Sequence, residues 1–291
     1  MAKSVCGLCT VIAAAAIAGA ALFPADVNAQ QARDQGQTAK QSLARHSLPA
    51  KAKVETKTET GSLAAPQRGG ETNPGQGQLG DPRIFYYRQL ALIHGHLLIG
   101  NELVQEDRWD DALPHFLRPT EEIYPQIVPY LKTQSIPSFD AQLKTLAQSV
   151  KARKIEAYDA ARLFVQMRMD RALDGVRKFM TPMHPFTLKT IAEVLKVAQS
   201  EYAAAVEDGK IGKVAAYQDG RGFVYYAHQM FEAIAHDLET ADRRSVDDMR
   251  WAFVELKTAW PRPMPPEHAA MTVQAVAVRV GRIEKLAATL Q

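Results

Sequence analysis

Apolar residues between Ile84 and Glu106 fall on two stripes of a 3.6-residue period. Leu90, Ile93, Leu97 and Val104 form one, and Leu92, His96, Ile99 and Leu103 form the other, more than about a third of a turn away. A helix apolar on two sides is packed on two sides, so this segment is predicted to be the central helix of the body. Water is left a strip through Arg88, Glu102 and Glu106. Asp81-Pro82 supplies the helix start, an N-cap followed by a proline where no N–H is needed. The chain turns at Glu106-Asp107-Arg108-Trp109, and Asp110 is predicted to cap a second, antiparallel helix with Pro114 near its first turn.

Downstream, Pro119, Pro125, Pro129 and Pro137 divide the chain into short helical pieces. Ser138 or Asp140 begins a helix carrying Leu143, Leu146 and Val150, continued or resumed through Tyr158, Phe164 and Met167 to about Phe179. From Phe186 a seam of alternating threes and fours runs through Leu188, Ile191, Leu195, Ala198, Tyr202 and Ala205. Asp208-Gly209 is predicted to close this helix. Residues 210–222 read as a connection or flexible helix start, because two glycines flank Arg221 and Asp219 is available as a cap. A helix over Phe223–Leu238, a shorter one capped by Ser245 and stopped at Pro261, and a last one from about Glu267 to Leu290 complete the set. No segment shows the alternation of a strand. The expected fold is all-α, a helical bundle or irregular array of antiparallel hairpins after a disordered N-terminal segment.

The first 81 residues have a different character. Lys3, an apolar run from Val11 to Phe23 and the small-residue pattern Val27-Asn28-Ala29 read as a cleaved bacterial-type signal peptide over residues 1–29. Its apolar run is too short for a comfortable membrane span. Cys6 and Cys9 both lie inside it, so the mature chain has no thiol and no disulfide. Residues 30–81 hold too few large apolar side chains to offset their ordering entropy and read as a disordered tether. The body is then 82–291, with 180–186 as the place where it would divide into two subdomains. It carries 27 Lys/Arg against 26 Asp/Glu, and no concentrated basic face marks it as a nucleic-acid binder.

Candidate chemistry rests on histidine, since the chain has no GxSxG, no HExxH and no phosphate loop. No catalytic residue is assigned. His228, Glu232 and His236 repeat every four residues, stacking two imidazoles and a carboxylate on one helix flank, the beginning of a divalent-metal site. That flank lies about 130° from the core stripe and faces water unless another helix covers it. His94 and His96 are placed nearer the core but point to nearly opposite sides, so they do not chelate one ion together. Five residues, His94, His96, His228, Glu232 and His236, are therefore the candidate metal ligands, and no cofactor other than a divalent metal is implied. The deciding observation is whether three of these, or of His115 and His184 with them, converge.

The spacing Gly100, Ala112, Phe116 resembles the tetratricopeptide pattern, in which small residues let two helices cross closely and an aromatic fills the groove. The resemblance covers one hairpin, about residues 90–124, with Pro119 and Asp107 standing where the pattern has Ala and Gly. The general layout is similar to that of the imelysin and EfeO-like periplasmic iron-handling proteins. Of their GxHxxE motif, His236 and Glu239 keep the HxxE half, while Ile234 replaces the glycine. Two functions follow as expectations. The first is an exported, periplasmic, non-enzymatic binding or scaffold module for a protein or cell-envelope partner. The alternative is a periplasmic protein that binds or delivers iron, copper or zinc through helix-borne His and Glu.

Overall fold

The computed structural model describes residues 80–291. The predicted signal peptide and all but the last two residues of the predicted tether lie outside the described residues. Helix α1 (Pro82–Gln105) runs through the middle of the body. Asp81 caps it, its carboxylate accepting from the Arg83 N–H at 2.9 Å. Both predicted stripes are buried, one through Leu90, Ile93 and Val104, the other through Leu92, His96, Ile99 and Leu103. Burial of each such aliphatic side chain contributes about 1.5–3 kcal/mol.

After α1 come α2 (Trp109–Ala112), α3 (Pro114–Arg118), a π-helical turn (Pro119–Ile123) and α4 (Tyr124–Thr133). Asp110 is not the cap expected of it: it lies within α2, and the α2 N-cap position is Arg108. Proline at 114, 119 and 125 keeps these pieces short, since each ring removes an N–H donor. Helices α5 (Asp140–Lys151) and α6 (Ile155–Arg177) form a hairpin on one flank, with Arg153 at φ 50° in the turn.

The remainder is built from α7 (Met183–Ala205), α8 (Val214–Lys257) and α9 (Val273–Thr289). Asp208-Gly209 does more than end a helix. Both residues have positive φ, 49° and 76°, and they join two-residue strands β1 (Val206–Glu207) and β2 (Lys210–Ile211) in an antiparallel hairpin. Asp-Gly is the pair that such a turn favours. Helix α8 then begins at Val214, so the predicted connection at 210–222 is mostly helical. Asp242, at φ −151° and ψ 81°, breaks α8 into two arms, and its carboxylate accepts from the Ser245 N–H at 3.0 Å. The second arm is thus capped by Asp242 rather than Ser245. The arms fold back on each other, with Phe231 and Phe253 ring centroids 6.0 Å apart. Thr272 caps α9 through its hydroxyl, later than the expected start at Glu267, because Pro261 to Met271 form an irregular, non-helical strap. Tyr202, Tyr217 and Arg221 hold that strap and its approach, bonding the carbonyls of Met271, Arg262 and Trp260 at 2.7, 3.0 and 2.6 Å. Among the described residues, no helix is long and apolar enough to cross a membrane.

Candidate metal centre

Two close helix crossings on α1 create the site. A Cβ on Gly222 would overlap the Gly95 carbonyl oxygen, so α1 and α8 approach backbone to backbone there. One turn along α1, a Cβ on Gly100 would lie 2.7 Å from Phe116 Cε2 and 3.3 Å from His115 Cβ, so α3 seats against a bare surface. His96 sits between these crossings, its ring meeting Phe223 edge-on at 5.0 Å. Asp219 lies three residues before Gly222 on α8. The two glycines read as marks of flexibility therefore act as contact surfaces, and Asp219 is an interior residue instead of a cap.

His96, His115 and Asp219 converge in a pocket closed to water, with one ligand-type atom from each within 4.8 Å of the others. Asp219 Oδ1 lies 3.0 Å from His96 Nδ1 and 2.8 Å from His115 Nδ1. Its other oxygen, Oδ2, is paired with the Arg118 guanidinium. Two donors about 2.1 Å from one ion and at right angles would stand about 3.0 Å apart, so these separations suit adjacent ligands of a first-row dication.

The hydrogen bonds around the cluster orient it for that purpose. His115 Nε2 lies 3.0 Å from Gln218 Oε1, while the Gln218 amide nitrogen donates to the Met264 sulfur at 3.4 Å. The amide thus presents its oxygen to the ring, and His115 donates from Nε2, leaving Nδ1 directed at Asp219. Among the described residues, His96 Nδ1 is buried and has no aligned hydrogen-bond partner despite its closeness to Asp219. An orphaned buried nitrogen costs about 1–3 kcal/mol unless something else fills the role.

The charges agree with the geometry. Burial pushes the Asp219 carboxyl up, but its contacts with His115 and His96 outweigh this and hold it well below the usual carboxylate range. Burial pushes His96 below the usual histidine range despite Asp219. At neutral pH the cluster therefore offers an ionised carboxylate and a neutral imidazole, the protonation states a metal requires.

Of the five candidate ligands, His96 alone belongs to this cluster. His94 points away, stacked on Tyr226 with centroids 4.5 Å apart, and lines a groove of about 620 Å³ with Tyr87, Asn101 and Leu173. The His228 row is engaged by the returning arm of α8. Lys257 Nζ is 2.6 Å from His228 Nδ1, and Arg250 Nε lies 3.1 and 3.2 Å from the two Glu232 oxygens. His236 is exposed and does not join them. Sequence reasoning included His115 among residues to watch but had no signal for Asp219 as a ligand. The available clue was Gly-Arg-Gly inside a stretch that could continue as helix.

Residues 183–291 match the family model described as iron permease-associated 4-helix bundle domain. The stretch holds four helical pieces, namely α7, the two arms of α8, and α9. The match covers a little over a third of the chain and includes Asp219 and Gln218, whereas His96, His115 and Arg118 precede it. No curated protein and no solved structure matches the chain.

Proposed function

We propose that the protein binds a divalent transition metal, iron(II) foremost, between α1, α3 and α8, and handles it outside the cytoplasm. The observation that carries this reading is the convergence of His96, His115 and Asp219 with a buried, unpartnered Nδ1 on His96. Two imidazoles and one carboxylate at adjacent positions form a donor set suited to iron(II), with coordination positions left open. The similarity of residues 183–291 to an iron permease-associated domain supports iron over zinc or copper. The signal-peptide reading of Met1 to Ala29 supports the periplasm. In this reading His96 and His115 ligate through Nδ1 and Asp219 through Oδ1, while Gln218 fixes the His115 ring. A bound dication would supply a concentrated positive charge to hold and release, and no catalytic step is assigned to it.

The scaffold reading keeps one observation in its favour, the exposed Leu163, Phe164 and Met167 on α6. It makes no use of the buried cluster, and the metal reading is preferred on that ground. Anaerobic calorimetry with Fe²⁺, and with Co²⁺ and Zn²⁺ for comparison, tests the choice. One ion per chain should bind at neutral pH, with binding lost in His96→Ala, His115→Ala and Asp219→Asn and retained in His228→Ala and His236→Ala. Absence of stoichiometric binding, or its loss only in the His228 and His236 variants, would overturn the assignment.

A further inference from the structure

Near the cluster stands a carboxylate that forms no ion pair among the described residues. Glu201 is on α7, three residues after Ala198, whose carbonyl oxygen would lie 3.2 Å from a Cβ on Gly220. That crossing brings α7 against α8 at the residue next to Asp219, and Glu201 is one turn away on the approaching helix. The Glu201 side chain is half-buried, and among the described residues it takes part in no ion pair and no side-chain hydrogen bond. Burial pushes its carboxyl above the usual range, as do the charges of Asp219 and Glu122, with Arg118 opposing them. An unpaired carboxylate in such a place carries a cost that a nearby cation would relieve.

Arg118 is the cation at hand, and it is committed elsewhere. It pairs with Asp219, whose side chain is 1% exposed, while its own is 37% exposed. Arg118 can therefore reach water by rotating outward, and Asp219 cannot. Glu122 lies exposed four residues further along the chain, within the π-helical turn.

We propose that Glu201 is the fourth ligand of the metal, drawn onto the ion as it binds, and that Arg118 then leaves Asp219 for Glu122. The proposal rests on the metal reading above. It follows from charge balance. With neutral imidazoles, Asp219 and Glu201 supply the two negative charges that offset a dication. A guanidinium kept on Asp219 would set a third positive charge against a carboxylate already engaged by the ion, and a charge left uncompensated there is unfavourable. Metal occupancy thereby becomes visible at the surface, as a change of partner for Arg118.

Titration of Co²⁺ into the full chain, followed by calorimetry and by the visible absorption of the bound ion, tests this. Glu201→Gln should weaken Co²⁺ binding by about tenfold or more and alter the absorption bands, because a carboxylate leaves the shell. Glu122→Gln should weaken it less than about threefold, and Arg118→Gln should bind as tightly as wild type or tighter. A Glu201→Gln variant with wild-type affinity and bands refutes the fourth ligand while leaving the His–His–Asp site standing. An Arg118→Gln variant weakened as much as Glu201→Gln shows that Arg118 positions Asp219 and does not give way. If wild type itself binds no Co²⁺ and matches His96→Ala, the metal reading has failed and this proposal falls with it. Melting curves establish that each variant is folded. Should Glu201→Gln not fold, Glu201→Asp, which keeps the charge but withdraws it by about 1.5 Å, replaces it under the same expectation.

Discussion

Substitution Gly222→Ala tests both the fold and the site, because one methyl group is set against backbone and not against a yielding side chain. The new Cβ would overlap the Gly95 carbonyl oxygen and stand 2.9 Å from Gly95 C and 3.1 Å from Ile99 Cγ2. Restoring van der Waals separation requires α1 and α8 to part by roughly 1 Å, a gap that forfeits a quarter to a half of each affected contact. Overpacking of this kind costs about 1–3 kcal/mol. Against it stands the gain from replacing a helical glycine by alanine, about 1 kcal/mol. The clash is with rigid backbone atoms, which puts the cost in the upper part of that range, about 2–3 kcal/mol, for a net loss of about 1–2 kcal/mol, or about 2–8 °C in melting temperature for a body of this size. Gly281→Ala is the control, since a Cβ there meets nothing within 4 Å. It should gain about 0.5–1 kcal/mol. Urea denaturation followed by circular dichroism reads both variants. Gly95 adjoins His96, so parting the helices also lengthens the 3.0 Å separation of His96 and Asp219, and Gly222→Ala should bind metal more weakly while Gly281→Ala does not. A Gly222→Ala protein as stable as wild type, alongside the expected gain in Gly281→Ala, would refute the backbone crossing on which the site depends.

Stability should fall as pH drops from about 6.5 to 4. Burial pushes His94 down to about 4, so between those values the unfolded chain binds a proton that the folded chain refuses. The contribution is intact above pH 6.5 and its loss approaches about 3 kcal/mol near pH 4; a His94→Gln variant whose denaturation midpoint shows the same pH slope as wild type would count against it. Ala112→Leu should destabilise by about 1–3 kcal/mol, since Ala112 is fully buried where α2 meets α1, and an unchanged melting temperature would exclude that contact. Asp219→Ala should cost about 2–4 kcal/mol by leaving His115 and Arg118 without the carboxylate they share, more than Arg118→Ala, because Arg118 can turn to water. Equal losses in urea would mean that Asp219 is not the hub. Protein recovered from the cell envelope should have the mass of residues 30–291, and retention of Met1 to Ala29 would refute the export signal.

The hydrophobic pattern by itself determined the elements that a local period can determine. The two stripes on α1 marked it as the central helix, the three-four seam from Leu188 to Ala205 marked α7, and Asp81-Pro82 marked where α1 begins. It also placed His94 and His96 on opposite sides of α1, since 100° per residue holds in any helix. Tertiary structure decided the rest. Glycine reads locally as a loosening of the chain, so Gly220 and Gly222 made 210–222 look like a connection and Asp219 like a cap. Their missing side chains matter because α7 and α1 lie against them, and which backbone approaches is a property of the assembled bundle. Likewise, the four-residue spacing put His228, Glu232 and His236 on one flank, but Arg250 and Lys257 reach the first two only because the chain reverses at Asp242. His115 and Asp219 are 104 residues apart in sequence and 2.8 Å apart in space. Periodicity assigns each of them a face of its own helix, and only the packing of α1 against α3 and α8 brings those faces together.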